Sequence, residues 1–510
     1  MNQKLAQNLK DISTLATCNP FSPQRFKIER KILKKNCEPF DSIAWNRKKE
    51  NREGGRPNVL QLTIKTNEII DAVKRTGSLD AELRQDYWNA GTYLLLYRHI
   101  TNLRVEEIWD ATKRNQKTIT NVWENFWRDY CYIFDINNSF EVRQESAAHL
   151  FACLAQIHRA FFNIFNNILG ESLPIARLRE KVWESIFTCC INRYHDKIFR
   201  KMRDLSTLVT GPSGTGKELV ARAIGMSQYA PFNYKTCQFD YEPQSSFLPL
   251  NLTALSPTLI ESELFGHRKG AFTGAVIDRV GWLEACSSNG AVFLDEIGEL
   301  DLGLQVKLLR VLQQRTYCRL GETTERTFHG KIIAATNRDL EKEIAAYRFR
   351  EDFYFRICSD RIQTPSLREQ LQQRPEDLNW LVESITEKQL GEDSTEFAHE
   401  ISDWISKNLG PDYPWSGNIR ELEQCVRSYI IRQNYEPIQT SASNSQSEVP
   451  TWLQDAVAGT ATADTLLRKY CTWVYSKKGS YEKTAQILNI DRRTVKAKLD
   501  EELLQELTSN

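Results

Sequence analysis

The run Gly211-Pro212-Ser213-Gly214-Thr215-Gly216-Lys217 has residue types suited to one task, the holding of phosphate. Glycines let backbone N–H groups wrap anionic oxygens, a helix N-terminus favours negative charge, and a lysine ammonium reaches the β- and γ-phosphates. The run follows the apolar residues 205–209 and opens the helical pattern "ELVARAIGMSQ". A chance glycine turn would lack that strand–loop–helix setting. Glu218 stands where the general pattern has Ser or Thr for magnesium, so a Mg²⁺ ion must rely on acids elsewhere.

Those acids are present in "GAVFLDEIGEL", an apolar strand pattern that ends in Asp295-Glu296. An Asp at the end of a strand can hold Mg²⁺ directly or through water, and the next carboxylate can polarise an attacking water. An isolated DE pair is usually a solvated turn; four apolar residues before it and this phosphate loop favour catalysis. "KIIAATNRDL" is a further buried-type strand that ends at Asn337, a neutral polar group suited to orienting water or sensing a γ-phosphate.

The elements that must position these groups divide the chain of 510 residues into several domains. Residues 1–165 read as an all-α regulatory region, with apolar residues at three- and four-residue spacing. From residue 166 to 365, short apolar runs such as "LSTLVT" and "HGKIIAAT" alternate with helical stretches, the pattern of a parallel sheet with crossover helices. Residues 366–436 are helical again. Residues 437–460, rich in Ser, Thr and Gln, read as a linker, and residues 461–510 as a second all-α domain. Residues 48–57, "KKENREGGRP", read as an exposed loop.

Composition excludes some classes. A net charge of +1 points to no partner until it is resolved by region, and 41% hydrophobic with 26% charged residues is ordinary globular protein. The 12 Cys show no CxxC pair and no His spaced to complete a zinc set, which leads us to expect reduced, structural thiols in a cytoplasmic protein. The opening is too polar for a signal peptide. The most apolar window, residues 151–169, is broken by Gln156, His158, Arg159 and three Asn and cannot span a bilayer.

Residues from about 168 to 432 resemble the AAA+ module of the bacterial enhancer-binding proteins, the activators of sigma-54 RNA polymerase. The resemblance rests on "GPSGTGKELVARAI", "ESELFGHRKGAFTGA", "GAVFLDEIGEL", "QVKLLRVLQ", "AATNRDL", "FREDFYFRI", "PSLRE" and "WSGNIRELE", in the family's order. It implies an α/β AAA+ P-loop ATPase with a helical lid, taking ATP and Mg²⁺. It also accounts for Gly270-Ala271-Phe272-Thr273-Gly274-Ala275, a glycine-bracketed segment with one exposed-looking aromatic and little to bury. In the family this loop rises from the ATPase ring and grips the sigma factor through its Phe and Thr. A lone aromatic in such a loop suits a hot-spot anchor better than a core.

Other roles carry over by position. The resemblance implies that Asn251 holds the catalytic Glu296 away from water, although "NLTAL" departs here from the family's usual "NCAAL". It implies that Arg350 and Arg356 are arginine fingers reaching a neighbouring subunit's ATP, and that Arg420 senses nucleotide from the lid, although Ser416 replaces the usual Pro. Fingers supplied in trans imply a ring, typically a hexamer.

The end, "KGSYEKTAQILNIDRRTVKAKLDEE", resembles the factor-for-inversion-stimulation type of helix-turn-helix that closes most members. Tyr481–Leu488 would form the first helix, Asn489-Ile490 the turn, and Asp491 the N-cap of the recognition helix. Residues 468–498 hold nine Lys or Arg against Glu482 and Asp491, the one strongly basic region. Arg492, Arg493, Thr494, Lys496 and Lys498 are the candidate contacts to double-stranded DNA at enhancer-like upstream sites, with Val495 and Leu499 packing inward.

Nothing in residues 1–165 fits a phospho-acceptor receiver domain. Residues 105–127 are faintly like a second helix-turn-helix with Lys113, Arg114 and Lys117 at its turn; a regulatory helical bundle is the plainer reading. Two alternatives to a sigma-54-dependent activator stay open: a DNA-binding repressor that uses ATP as an assembly switch, and a general AAA+ remodeller of proteins. The intact GAFTGA run argues against the first, and the basic C-terminal segment against the second.

Overall fold

The computed structural model describes residues 2–37, 57–76, 79–101, 113–136, 140, 142–241, 245–391, 395–437, 462–501 and 503–504. The chain divides into two compact units, Met1–Gln433 and Asn434–Asn510.

Among the described residues the first unit begins with six α-helices: α1 (Gln3–Thr17), α2 (Gln24–Leu33), α3 (Pro57–Arg75), α4 (Arg84–Leu95), α5 (Lys113–Phe134) and α6 (Gln144–Asn167). Their apolar stripes bury Leu9, Ile12, Ile70, Tyr87, Phe126 and Phe151 in one core. Residues 48–56 and 102–112 lie outside the described residues. From Lys113 onward the candidate second helix-turn-helix is one unbroken helix to Phe134, so residues 113–117 lie in a helix and not at a turn. Trp123 and Phe126 are spaced to bury on one side of it, and that stripe drives the helix.

α7 (Leu173–Phe187) leads into a five-stranded parallel sheet: β1 (Thr207–Thr210), β2 (Phe247–Asn251), β3 (Ala291–Asp295), β4 (Lys331–Thr336) and β5 (Asp360–Gln363), in the order β2-β3-β4-β1-β5. Alternate residues serve opposite faces. Val209, Phe293 and Ile333 pack into one core and Leu208, Leu294 and Ile332 into the other, as a sheet covered on both sides requires. β4 is buried at all six positions. The covering helices include α8 (Lys217–Gly225), α9 (Pro257–Phe265), α10 (Leu302–Gln314), α11 (Leu340–Ala345) and α12 (Glu351–Ile357).

A helical lid follows: α13 (Leu367–Gln373), α14 (Asp377–Leu390), α15 (Thr395–Asn408) and α16 (Asn418–Arg432). Ser366 and Glu369 close a capping box at the start of α13. The helical region and the ATPase core are not separate bodies. α6 runs past residue 165, and its Gln156 Nε2 donates to the Ser227 carbonyl just beyond α8 at 2.9 Å.

In the second unit, residues 438–461, which contain most of the expected linker, lie outside the described residues. α17 (Ala463–Lys478), α18 (Tyr481–Leu488) and α19 (Arg492–Ala497) follow. All twelve cysteines are free thiols. Among the described residues no helix is long and apolar enough to cross a membrane.

Candidate functional site

The carboxyl ends of β1, β3, β4 and β5 converge, and the chain turns there into the residues with chemistry. After β1, the loop 211–216 delivers Lys217 as the first residue of α8. Gly214 has φ +76° and lies so close to the lid that a Cβ would meet the Gly417 carbonyl at 2.2 Å, so only glycine fits. Thr215 Oγ1 donates to the Pro212 carbonyl at 2.9 Å and shares a hydrogen bond with Thr364 Oγ1, just past β5, at 2.6 Å. Lys217 is buried, and its ammonium donates to the Gly211 and Pro212 carbonyls at 3.1 Å each. Among the described residues it forms no ion pair. Burial lowers its pKa, while Glu296 and Asp295 oppose that shift. A buried ammonium in a ring of loop dipoles, with no carboxylate bound to it, fits a polyphosphate. Glu218 points to Arg222, which donates to it at 3.1 Å, and is half-exposed.

Asp295 ends β3. Burial and the charge of Glu296 raise its pKa, with Lys217 pulling the other way. Glu296 has φ +57°, a region that non-glycine residues seldom adopt and that recurs at functional positions. Its carboxylate accepts a hydrogen bond from the Asn337 backbone N–H at 3.2 Å. Asn251, at the end of β2, is in register with Asp295, yet its Oδ1 accepts from the Thr253 N–H at 2.9 Å and hydroxyl at 2.7 Å. The backbone of Asn337, not the side chain of Asn251, therefore holds Glu296 in this state. The carboxylates of Asp295 and Glu296 are hard oxygen ligands of the kind Mg²⁺ takes, so the acid pair fits that ion.

The lid closes on the loop through α16. Arg420 Nη1 donates to Ser213 Oγ at 3.0 Å, and the Ile419 N–H donates to the Gly214 carbonyl at 3.0 Å. Asn418, at φ +54°, donates to the Ser213 carbonyl at 2.9 Å and accepts from the Leu367 N–H at 2.8 Å. Asn418 and Thr364 did not stand out in the sequence. The one local signal was an Asn at the head of a helix, where a left-handed residue is tolerated.

Arg350 caps α12 and grips Asp352 with Nε at 3.0 Å and Nη2 at 2.7 Å. Arg356 is exposed on the same helix and forms no ion pair among the described residues. Neither guanidinium hydrogen-bonds a phosphate-loop residue of its own chain among the described residues.

The GAFTGA segment is a tight double turn. The Gly270 N–H donates to the Ala275 carbonyl at 2.8 Å and the Ala275 N–H to the Phe272 carbonyl at 3.0 Å. Gly270 and Gly274 have φ +83° and +103° with open space around them, so conformation and not crowding selects glycine. Thr273 is exposed and Ala271 half-buried. Phe272 is half-buried, in contrast to the exposed aromatic expected, because its ring packs edge-on against His267 at 5.0 Å. The outward apolar surface is instead Val276, Ile277 and Val280, each more than half exposed. Sequence reasoning missed these three; apolar residues flanking a polar loop were the available signal. The loop's base is pinned by Arg268, which pairs with Asp278 at 2.6 Å and Glu322 at 3.0 Å.

In the second unit Asp491 caps α19 by accepting from the Arg493 N–H at 2.8 Å, and Asn489 makes the preceding turn at φ +51°. Arg493 and Lys496 are exposed, and Thr494 is half-buried. Arg492 pairs with Glu482 at 3.1 Å and Lys498 with Asp464. Val495 is fully buried and Leu499 half-buried.

The fold and this site define a protein of the AAA+ P-loop class. Residues 191–363 match the sigma-54 interaction domain family. The chain is 42% identical over 231 residues to the hydrogenase transcriptional regulatory protein HoxA of Bradyrhizobium diazoefficiens, covering 45% of this chain and 43% of that protein. It is 36% identical over 293 residues to the sigma54-dependent transcriptional activator SfnR of Pseudomonas putida, covering 56% of this chain and 73% of that protein. A solved structure of NtrX from Brucella abortus in complex with ADP aligns over 82% of this chain and 87% of that chain, at 22% identity and a TM-score of 0.39. The matched segment spans less than half the length of HoxA. The chain belongs to the family of sigma-54-dependent transcriptional activators.

Proposed function

We propose that this chain is an ATP-driven activator that binds upstream DNA, assembles into a ring and remodels the closed sigma-54 promoter complex. The reading draws most on one observation: a phosphate loop with its acids and an intact GAFTGA turn lie within the same family-matched segment. Mg²⁺, held by Asp295, would neutralise charge on the phosphates. Lys217 and the loop N–H groups bind and orient the triphosphate of ATP. Glu296, once released from the Asn337 N–H, takes the proton of the attacking water. Arg350 and Arg356 serve the neighbouring subunit's site in a ring, typically a hexamer, and Arg420 reports the bound nucleotide to the lid.

Phe272 and Thr273 contact the sigma factor, with Val276, Ile277 and Val280 widening the apolar surface beside them. The glycines at both ends allow the turn to move as a unit. The second unit supplies DNA contact through Arg493 and Lys496, joined by Arg492, Thr494 and Lys498 once Glu482 and Asp464 give way to phosphate.

In vitro transcription from a sigma-54 promoter with purified polymerase tests the reading. Open complexes should form only with this protein and hydrolysable ATP. Promoter occupancy that blocks transcription instead would favour the repressor.

A further inference from the structure

α6 carries His149 and Cys153 four residues apart, so their side chains leave the same helix face. His195 meets them from the turn Tyr194–Ile198, and the three side chains each bring a ligand-type atom within 4.8 Å of the others. Cys153 Sγ lies 3.7 Å from His149 Nε2 and 3.9 Å from Nδ1. With Zn–S of about 2.3 Å and Zn–N of about 2.0–2.1 Å, two ligands of one tetrahedral ion stand roughly 3.6 Å apart. Cys153 and His149 stand close to that spacing, and His195 lies within 4.8 Å of both, so it must move in by up to about 1 Å to share an ion with them.

The tautomer of His149 is fixed by its neighbours. Its Nε2 is 3.0 Å from the His195 carbonyl, which only accepts, so Nε2 bears the hydrogen. Nδ1 therefore presents a lone pair, now taken by the Tyr229 hydroxyl at 2.9 Å. An imidazole that donates its other N–H to a backbone carbonyl is oriented as metal-bound histidines are.

We propose that His149 Nδ1, Cys153 Sγ and a ring nitrogen of His195 bind one borderline-soft divalent transition metal of the zinc kind. On binding, the Cys153 S–H bond breaks, its proton passes to solvent and the sulfur pair forms the metal bond. The Tyr229 hydroxyl turns away from Nδ1, and its oxygen or a water completes four ligands. The site joins the N-terminal helices to the nucleotide-binding core. Tyr229 lies four residues beyond α8, and Asn163 of α6 donates to Ser227 Oγ at 3.1 Å. His149 and Cys153 fall outside the family-matched segment and His195 just inside it.

Full-length protein stripped with chelator is titrated with Zn²⁺ against a chromophoric competitor, and with Co²⁺ followed by absorbance. We expect one site per chain with a thiolate-to-cobalt charge-transfer band. Cys153→Ser should lose the band, His195→Gln should weaken Zn²⁺ binding at least about tenfold, and Cys286→Ala should change neither. Far-UV circular dichroism monitors folding. If the fully buried Cys153→Ser misfolds, His195→Gln, at a position only partly buried, carries the test. Equal Zn²⁺ stoichiometry and affinity in wild type and folded His195→Gln would overturn the proposal, as would the absence of any stoichiometric site.

Discussion

The Glu296 carboxylate accepts a hydrogen bond from the backbone N–H of Asn337, 3.2 Å away, at the adjacent strand end. That bond ties the candidate base to the end of β4, while Asn251 is occupied by Thr253. In the proposed mechanism Glu296 is freed for its water when this bond breaks, and Asn337, at the end of β4, is the residue whose shift would break it.

Glu296→Gln should bind ATP within about threefold of wild type and lose roughly 10²–10⁴ in turnover, since the amide keeps the shape and loses the base. Nucleotide titration beside a phosphate-release assay separates the two effects. Parallel losses in both would assign Glu296 a structural role.

Asp295 gives a prediction in pH. Burial and Glu296 raise its pKa in the fold, so between the ordinary Asp value and the raised one the folded state holds the extra proton. The ionised carboxylate thus costs stability above that window, and the cost fades as pH falls through it. Asp295→Asn should raise the Tm of nucleotide-free protein at pH 7, with the gain shrinking towards pH 4. An unchanged or lowered Tm at pH 7 would contradict the electrostatic account.

That the phosphate loop, the acid pair and Asn337 follow strand ends could be read from sequence because each is announced locally, by glycines after an apolar run or by a polar residue ending one. The partner of Glu296 could not, since the choice between Asn251 and Asn337 depends on how two strand ends sit side by side. Asn418 escaped for a similar reason: it contacts Ser213 across 205 positions of chain. Phe272 looked exposed because its partner His267 meets it through a tertiary turn and not through periodicity. The metal-type cluster was invisible as spacing, since His195 reaches α6 by packing alone.

The lid contact has its own test. Asn418→Ala removes the bonds to Leu367 and Ser213 and a longer one to Ser416, worth about 1–3 kcal/mol together, and places alanine at a positive φ. Nucleotide affinity should fall by about tenfold. Asn418→Gly relieves the backbone and lacks the same bonds. Equal affinity losses in both variants trace the effect to the side chain, whereas a wild-type affinity for Asn418→Gly would trace it to backbone conformation.

Arg350→Ala and Arg356→Ala should each cut hydrolysis by roughly 10³-fold or more while single subunits still bind ATP, because a finger neutralises transition-state charge in a neighbour. Mixing either variant with Lys217→Ala protein should restore part of the activity, each chain supplying what the other lacks. A monomer with full ATPase activity would remove both the fingers and the ring.

Thr273 and Phe272 lie outside the phosphate site, in a turn closed by its own backbone bonds and fixed below by Arg268. Thr273 is exposed, so Thr273→Ala should leave the fold, ATP hydrolysis and DNA binding intact. Phe272 is partly packed on His267, so Phe272→Ala should also loosen the turn; Phe272→Leu keeps apolar bulk and separates packing from contact. All three should retain ATPase activity, and the two alanine variants should fail to open a sigma-54 promoter. Pull-down with an ATP transition-state analogue should trap the sigma factor on wild type and not on Thr273→Ala. The exposed Val276 and Ile277 offer a second handle. Val276→Asp should weaken the trapped complex without touching hydrolysis, because a carboxylate must be desolvated in an apolar contact. Normal activation by Thr273→Ala would make the loop a bystander and move the repressor reading ahead.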